Sequence, residues 1–460
     1  MSFSPEIAER RFGYGLSPDL TPVASTQTML NGVNGADDMA LRFPIPGYRY
    51  LQDKMVSKRR FDQYARANPD TEEGKRAGEK ARALNREVRL TRTRWFAQLE
   101  LRRINSTQSF RERLVAFWGD HFTAVGKGGL LRPANSLYLE DAVRPNISGT
   151  FADLLIACVT HPLMLHYLDQ NVSAGPNSIA AQRTDRRRGL NENLAREVLE
   201  LHTLGAGGPY SQDDVRELAM LFTGMGGTRD MGFKFRRGMT EPGPETILGK
   251  TYGGAPSMEP IFAVLKDMAA HPATAAHIAQ KLAVHFVSDT PPGDLVAQLR
   301  DAYLDSGGDL MVVYAALLDH PAAWQQPATN IKPPADFVSS ALRALAVSEA
   351  TFEKLREQDT RAYFYRPLGL MGQTWQRPDG PDGWSEKDRD WVTPQGIAAR
   401  LEWAIQVPTL LIADLPDPRD FIQHALGQDV PGAVQFAAKS AETRAEAIGL
   451  VLASPAFQRR

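Results

Sequence analysis

The sequence predicts an all-α protein, and three observations carry that prediction. Apolar residues recur at spacings of three and four along most of the 460-residue chain, the period of a helix with one buried face. Residues that start and stop helices bracket those segments. The two-residue alternation of a strand is confined to Gly232 to Arg236, inside a stretch rich in Gly and Pro.

With 43% hydrophobic and 23% charged residues, the chain has the balance of a globular protein with a sizeable core. The 53 basic and 54 acidic residues nearly cancel, which excludes a global field that would recruit nucleic acid or an anionic membrane. The single cysteine, Cys158, lies in the apolar run Leu154 to Val159. An intramolecular disulfide is therefore impossible, and a buried, inert thiol is expected. Arg10-Arg11 is not followed by an apolar segment of secretory length, and no run approaches a membrane span. The expectation is a soluble cytoplasmic protein, or one exported with a partner that carries the signal. The chain reads as one helical unit over 1–460, with a possible division into halves at 1–224 and 255–460 joined by an irregular hairpin at 225–254.

Ser4-Pro5-Glu6 reads as a cap, a first-turn proline and a favourable acid opening a short helix that ends near Gly13. From Lys54 to about Glu100, interspersed Lys, Arg and Glu with helically spaced Leu and Ala predict long solvated helices. In the next helix, about Gln108 to Phe122, Leu114, Phe117, Trp118 and His121 share one face. Gly126 to Gly129 lacks the spacing of a phosphate loop and reads as a connector. Helices follow near Asn135 to Val143 and Phe151 to Thr160. Three segments close on His161-Pro162, His271-Pro272 and His320-Pro321, where a histidine can bond the last helical carbonyls. Ser211 and Asp214 form a capping-box-like start to Gln212–Thr223, a helix too acidic to read DNA. Further helices are expected at 260–270, 273–286, 292–304, 310–318, 335–347, 395–403 and 441–453. The loop from Tyr365 to Pro394, rich in Pro, Gly and Trp, is expected to fold back on them.

The densest chemistry lies in Asn191 to Leu204, bracketed by the capping type Asn191 and by Gly205. Leu194, Val198 and Leu201 form one stripe, Asn193, Glu197 and Glu200 a second, and Ala195, Leu199 and His202 a third. Glu197 and Glu200 can hold a divalent metal or set an acid beside a base. The twofold Glu-x-x-His of a di-iron bundle is missing. The bland alternative is a pair of ion pairs, Glu192 with Arg196 and Arg196 with Glu200, on a solvated face. His121 and His202 can carry a proton or bind a metal, or simply be hydrogen-bonded core residues. Asp169 closes an apolar stretch, and the basic run Arg183 to Arg188 suits an acidic or phosphate group.

HPLMLHYLDQNVSAGPNS followed by RRRGLNENLAREVLELHTLGAGGPYSQDDVRELAMLFTG closely resembles the bacterial family of unknown function DUF1800. RERLVAFWGDHF, HPATAAHIAQKLAVHFVSDTPP, NIKPPADFVSSALRALA and LGLMGQTWQRPDGPDGWSEKDRDWVTPQGIAARLEWA extend the likeness in order over nearly the whole chain. The resemblance implies a mostly helical fold and maps the family's motif residues onto His121, Asp169, Asn191, Glu192, Asn193, Arg196, Glu197, Glu200 and His202. Many members carry a His-Asp pair and a lysine where this chain has Thr240, Glu241 and Glu245, and a tryptophan where it has Met225. If those residues take part in chemistry, this member has altered or lost it. Family likeness also implies an alkaline-phosphatase-like protein of a neighbouring gene as a partner.

The resulting expectation is a hydrolase with or without a metal. Glu197 and Glu200 are its acid/base or ligand pair, His121 and His202 its proton carriers or ligands, and Arg196 its anion clamp, with Asp169, Asn191, Glu192 and Asn193 in binding roles. The rival is an interaction or export-accessory protein anchored by Trp375, Trp384 and Trp391.

Overall fold

The computed structural model describes residues 3–183, 189–228, 231–326 and 328–460. The fold is predominantly helical. Its strands among the described residues form two short antiparallel ladders, Met225–Gly227 with Phe233–Phe235 and Pro244–Ile247 with Lys250–Gly253. The first is the hairpin that alternation at 232–236 predicts. The second was not foreseen, because Gly249, at φ 77°, and Leu248, at φ 52°, make a turn that the flanking Pro and Gly disguise as loop.

The charged stretch becomes two long helices, Arg49–Ala67 and Glu72–Asn105, joined by a short turn. Their polar parts stay solvated until Trp95, after which Phe96, Leu99, Leu101 and Ile104 are buried. Ser109–His121 is buried on nearly every side, with Leu114, Phe117, Trp118 and His121 all inward as their spacing requires. Cys158 is fully buried beside Tyr138. One cluster of buried apolar side chains includes residues from Ile7 to Phe457. No helix among the described residues is long and apolar enough to cross a membrane.

The three His-Pro pairs punctuate the chain from the other side than expected. Each histidine accepts, at Nδ1, the N–H two residues ahead: Leu163 at 3.1 Å, Ala273 at 3.0 Å and Ala322 at 3.2 Å. They cap the start of the following helix rather than the end of the preceding one. Proline at the first helical position lacks the N–H that would need a partner, so the imidazole serves the next donor. Near the C-terminus, Pro394–Leu411 runs longer than its pattern and carries Pro408 in its last turn. The helices Pro418–Leu426 and Gly432–Ser440 lie where no element was read.

Trp375 stacks on Tyr365 at 5.4 Å and is buried, and Trp391 is buried with its Nε1–H donated to the Ser385 carbonyl at 3.0 Å. Two of the three tryptophans expected to anchor a partner are therefore spent inside the fold.

Candidate functional site

The stretch 191–204 does not form one regular helix. Asn193–Glu197 is α-helical, and Val198–Thr203 widens into a π turn. The Leu204 N–H donates to the Leu199 carbonyl at 3.0 Å and the Thr203 hydroxyl to the Val198 carbonyl at 2.6 Å. Such wide turns occur often at functional sites. Asn191 lies one residue ahead of the cap position, which Glu192 holds without a side-chain bond, and its Oδ1 accepts the Asn193 N–H at 2.9 Å. Gly205 ends it at φ 88°, where a Cβ would stand 3.1 Å from His277 Nδ1.

This geometry sorts the predicted residues into separate groups. Arg196 pairs with Glu192 at 3.2 Å, and both bond Gln212. The partner of Arg196 is thus Glu192, the first of the two ion pairs allowed by spacing. Asn193 is exposed. Asp169 adopts a left-handed conformation and pairs with Lys127. Glu197 is half-buried and pushed up to about 6, by burial first and then by Glu200 and Asp382. Of the basic run, 184–188 lie outside the described residues.

His121 and His202 do meet. Their ring centroids are 6.0 Å apart, and His277 lies 6.2 Å from His121. His121 Nε2 faces the His202 carbonyl at 3.2 Å, and His277 Nε2 faces that of Leu201 at 3.0 Å. Both ring nitrogens of His202 and Nδ1 of His121 are buried without a hydrogen-bond partner. Burial, followed by the charge of Lys281, holds His121 well below its ordinary range, His202 at about 3 and His277 at about 4. All three are neutral imidazoles at neutral pH. Among the described residues, no group of three or more His, Cys, Asp or Glu side chains is placed to hold a metal ion.

A larger concentration of chemistry lies where the end of Ser109–His121 meets the Trp-rich loop and the helices Pro272–Phe286 and Pro334–Ala344. They enclose a cavity of about 150 Å³. Asp120, next to His121 in sequence, accepts the Trp384 N–H at 3.0 and 3.2 Å on its two oxygens. The loop comes this close because residue 383 is glycine. Its φ is 78°, and a Cβ there would stand 2.7 Å from Asp120 Oδ2. Burial, then the charge of Glu386, pushes Asp120 up to about 7.

Glu386 is partly buried, and burial alone would raise it, but His285, Lys281 and Arg113 together bring it below its ordinary range. His285 Nδ1 is 2.7 Å from Glu386 Oε1, and its Nε2 is 3.4 Å from Arg113 Nη2. The guanidinium can only donate, so Nε2 is the acceptor and the imidazole carries its proton on Nδ1, toward Glu386. Arg113 pairs with Asp336 at 2.5 Å, and Arg460 also binds Asp336. Another wall holds the bidentate Arg144–Glu112 pair, at 2.7 and 2.9 Å.

Sequence reading did not single out Asp120, His285, Glu386, Arg113 or Asp336. Each stands inside a segment quoted for the family likeness: Arg113 and Asp120 in RERLVAFWGDHF, His285 in AVHF, Asp336 in KPPADF and Glu386 in GWSEKD. For Arg113, Asp120 and His285 the available signal was a polar residue set among apolar and aromatic neighbours of a helix; Glu386, in the Trp-rich loop, carried none.

The fold and the cavity define a helical protein with a buried constellation of ionisable groups. The chain belongs to the family described as "Protein of unknown function (DUF1800)", whose model matches residues 7–459. No curated protein and no solved structure matches it.

Proposed function

We propose that the protein is a hydrolase working by general acid–base chemistry in the cavity beneath the Trp-rich loop. The observation that carries this reading is a pair of carboxyl groups, Asp120 and Glu386, that one cavity drives in opposite directions, to about 7 and below the ordinary range. Such a split assigns an acid and an anion within one site. Asp120 keeps a proton near neutral pH and delivers it to a leaving group. His285 accepts a proton from water at Nε2 once substrate displaces Arg113, and Glu386 holds the opposite N–H and stabilises the imidazolium. Glu197 feels Asp382, as Asp120 does, and is a second carboxyl able to exchange a proton near neutrality. His121 and His202, enclosed and neutral, support this wall rather than relay protons.

The test is a panel of chromogenic carboxylic esters, phosphate esters and peptides. One class is turned over by the wild type, with a rate that falls above about pH 7 as Asp120 loses its proton. Asp120→Asn and Glu386→Gln each lower kcat by roughly a hundredfold or more. Full turnover in both variants, or no turnover of any class, overturns the reading.

A second reading, an interaction protein with the alkaline-phosphatase-like product of a neighbouring gene as partner, is favoured by a different face. Ile397, Leu401 and Ile405 recur at helical spacing along Pro394–Leu411 and are each at least 40% exposed, and Phe436, in the helix Gly432–Ser440, is 73% exposed. Co-purification of the two proteins, abolished by Leu401→Glu but not by Asp120→Asn, favours this reading over the first.

A further inference from the structure

Residues 458–460 lie along the segment that leads into the Pro334–Ala344 helix. Ile331 and Arg459 form an antiparallel bridge, the Lys332 N–H donates to the Gln458 carbonyl at 2.8 Å, and the Arg460 N–H donates to the Asn330 carbonyl at 2.9 Å. Arg400 clamps both segments, with Nη1 on Gln458 Oε1 at 2.6 Å and Nη2 on the Lys332 carbonyl at 2.8 Å. From this fixed backbone the Arg460 side chain turns inward, and only 3% of the residue is exposed.

Arg460 does not line the cavity, yet its guanidinium reaches three supports of His285. Nη2 donates to the carbonyl of His285 itself at 3.3 Å. It also lies 3.7 Å from Glu386 Oε2, too far for a hydrogen bond but within reach of an ion pair. Glu386 holds the imidazole at Nδ1 through its other oxygen. Nη1 binds Asp336 Oδ2, the same oxygen that holds Arg113, whose Nη2 faces the imidazole at Nε2. One side chain thus touches the backbone of His285, the group on one ring nitrogen and the partner of the group on the other. A planar fork with donors in fixed directions suits such a junction, whereas an ammonium is a point charge.

We propose that Arg460 is a positioning residue for His285. It fixes Glu386 and Asp336 so that the imidazole keeps its proton on Nδ1 and its free Nε2 toward Arg113. When substrate displaces Arg113, Arg460 stays on Asp336, so that carboxylate is not left without a counter-charge. The effect on turnover rests on the hydrolase reading above, and the effect on the imidazole does not.

Nitrogen-15 NMR of the histidine rings in the full chain tests this at about pH 8, where an ordinary imidazole is neutral, with His285 assigned by its loss in His285→Asn. The wild-type ring is expected as the Nδ1–H tautomer, and Arg460→Ala turns it into a mixture of both neutral tautomers. Arg460→Lys keeps a cation for Asp336 should Arg460→Ala not fold, and shows the same mixture because the fork is gone. Arg459→Ala removes a guanidinium bonded to the Thr329 carbonyl at 3.2 Å, on the same segment, and leaves the wild-type tautomer in place. A wild-type ring not held as Nδ1–H overturns the proposal. So does an unchanged tautomer in the folded Arg460 variants, or the mixture in Arg459→Ala as well. With any substrate that the wild type turns over, Arg460→Lys lowers kcat roughly tenfold to a hundredfold with KM little changed, and an unchanged kcat overturns the role in turnover. A wild type without turnover removes the hydrolase reading alone, since the tautomer is read without activity.

Discussion

Asp120 and His121 are adjacent at the end of one helix, yet their side chains enter opposite environments. Asp120 joins a cavity of charged groups beneath the Trp-rich loop. His121 enters a packed interior where Trp118, Phe122 and Phe151 surround it with two further histidines. Burial drives both toward their neutral forms, upward for the acid and downward for the base. A perturbed titration alone therefore does not mark a reacting group. Asp120 has a cavity, a loop N–H aimed at it and a charged partner set, whereas the histidines have unbonded nitrogens and aromatic neighbours.

The comparison breaks most visibly if the charged cavity proves dispensable to folding. Asp336→Ala leaves the buried guanidinium groups of Arg113 and Arg460 without their shared carboxylate. Urea denaturation should register a loss of about 3–5 kcal/mol, the usual effect of stranding a buried charge. A loss under 1 kcal/mol would mean that the network is loosely solvated.

Acid separates the two regions by sign. Between an unfolded value of 6.5 and its folded value of about 3, His202 takes up a proton in the unfolded chain but not in the folded one. Stability therefore falls as pH drops through that window, by about 1.4 kcal/mol per pH unit, and His277 adds to the loss down to about 4. Asp120 acts the other way. Between 3.8 and about 7 the folded chain keeps a proton that the unfolded chain has released, so its contribution is lost as pH rises. Asp120→Asn is expected to gain on the wild type from pH 4 to pH 7, and His202→Leu to gain from pH 6.5 downward. Parallel stability curves for variants and wild type would contradict both assignments.

At neutral pH His202→Leu sharpens the contrast further. It removes two unbonded polar atoms from a fully buried site, so thermal denaturation should show no loss and a gain of up to about 1 kcal/mol. A loss above 2 kcal/mol would reveal a partner for those nitrogens. An effect of similar size and opposite sign belongs to the helix caps, which neither region uses: His271→Ala is expected to lose about 1 kcal/mol, readable as a small shift in Tm.

Much of this was written in the sequence where a local rule sufficed. The inward face of Ser109–His121, the capping box of Ser211 with Asp214 and the fold-back of the Trp-rich loop follow from spacing and residue type. The cavity does not, because its bonds join distant segments: Arg113 to Asp336, His285 to Glu386, Asp120 to Trp384. Periodicity assigns a residue to a face but does not name what packs there. The same limit explains the central helix, where spacing set Ala195, Leu199 and His202 on one stripe, which the fold buries, but placed Arg196 within reach of Glu200 as well as Glu192. Family likeness grouped Asp169, Asn191 and Glu192 in binding roles without naming their partners. Asp169 pairs with Lys127 and Glu192 with Arg196, while His121 lies in the aromatic core.

The wide turn at Val198–Thr203 has a counterpart in three other places among the described residues, Ala8–Phe12, Leu139–Val143 and Arg361–Tyr365. In an α-helix each residue advances the azimuth by about 100°. One surplus residue in a turn is thus a phase slip, after which the same heptad grammar points its letters elsewhere. The central helix addresses two audiences across its slip, solvent through Arg196 before it and the aromatic interior through His202 within it. Deleting a single residue from 198–203 would take out the slip and let the α-helical bonding of Asn193–Glu197 run on without a wide turn.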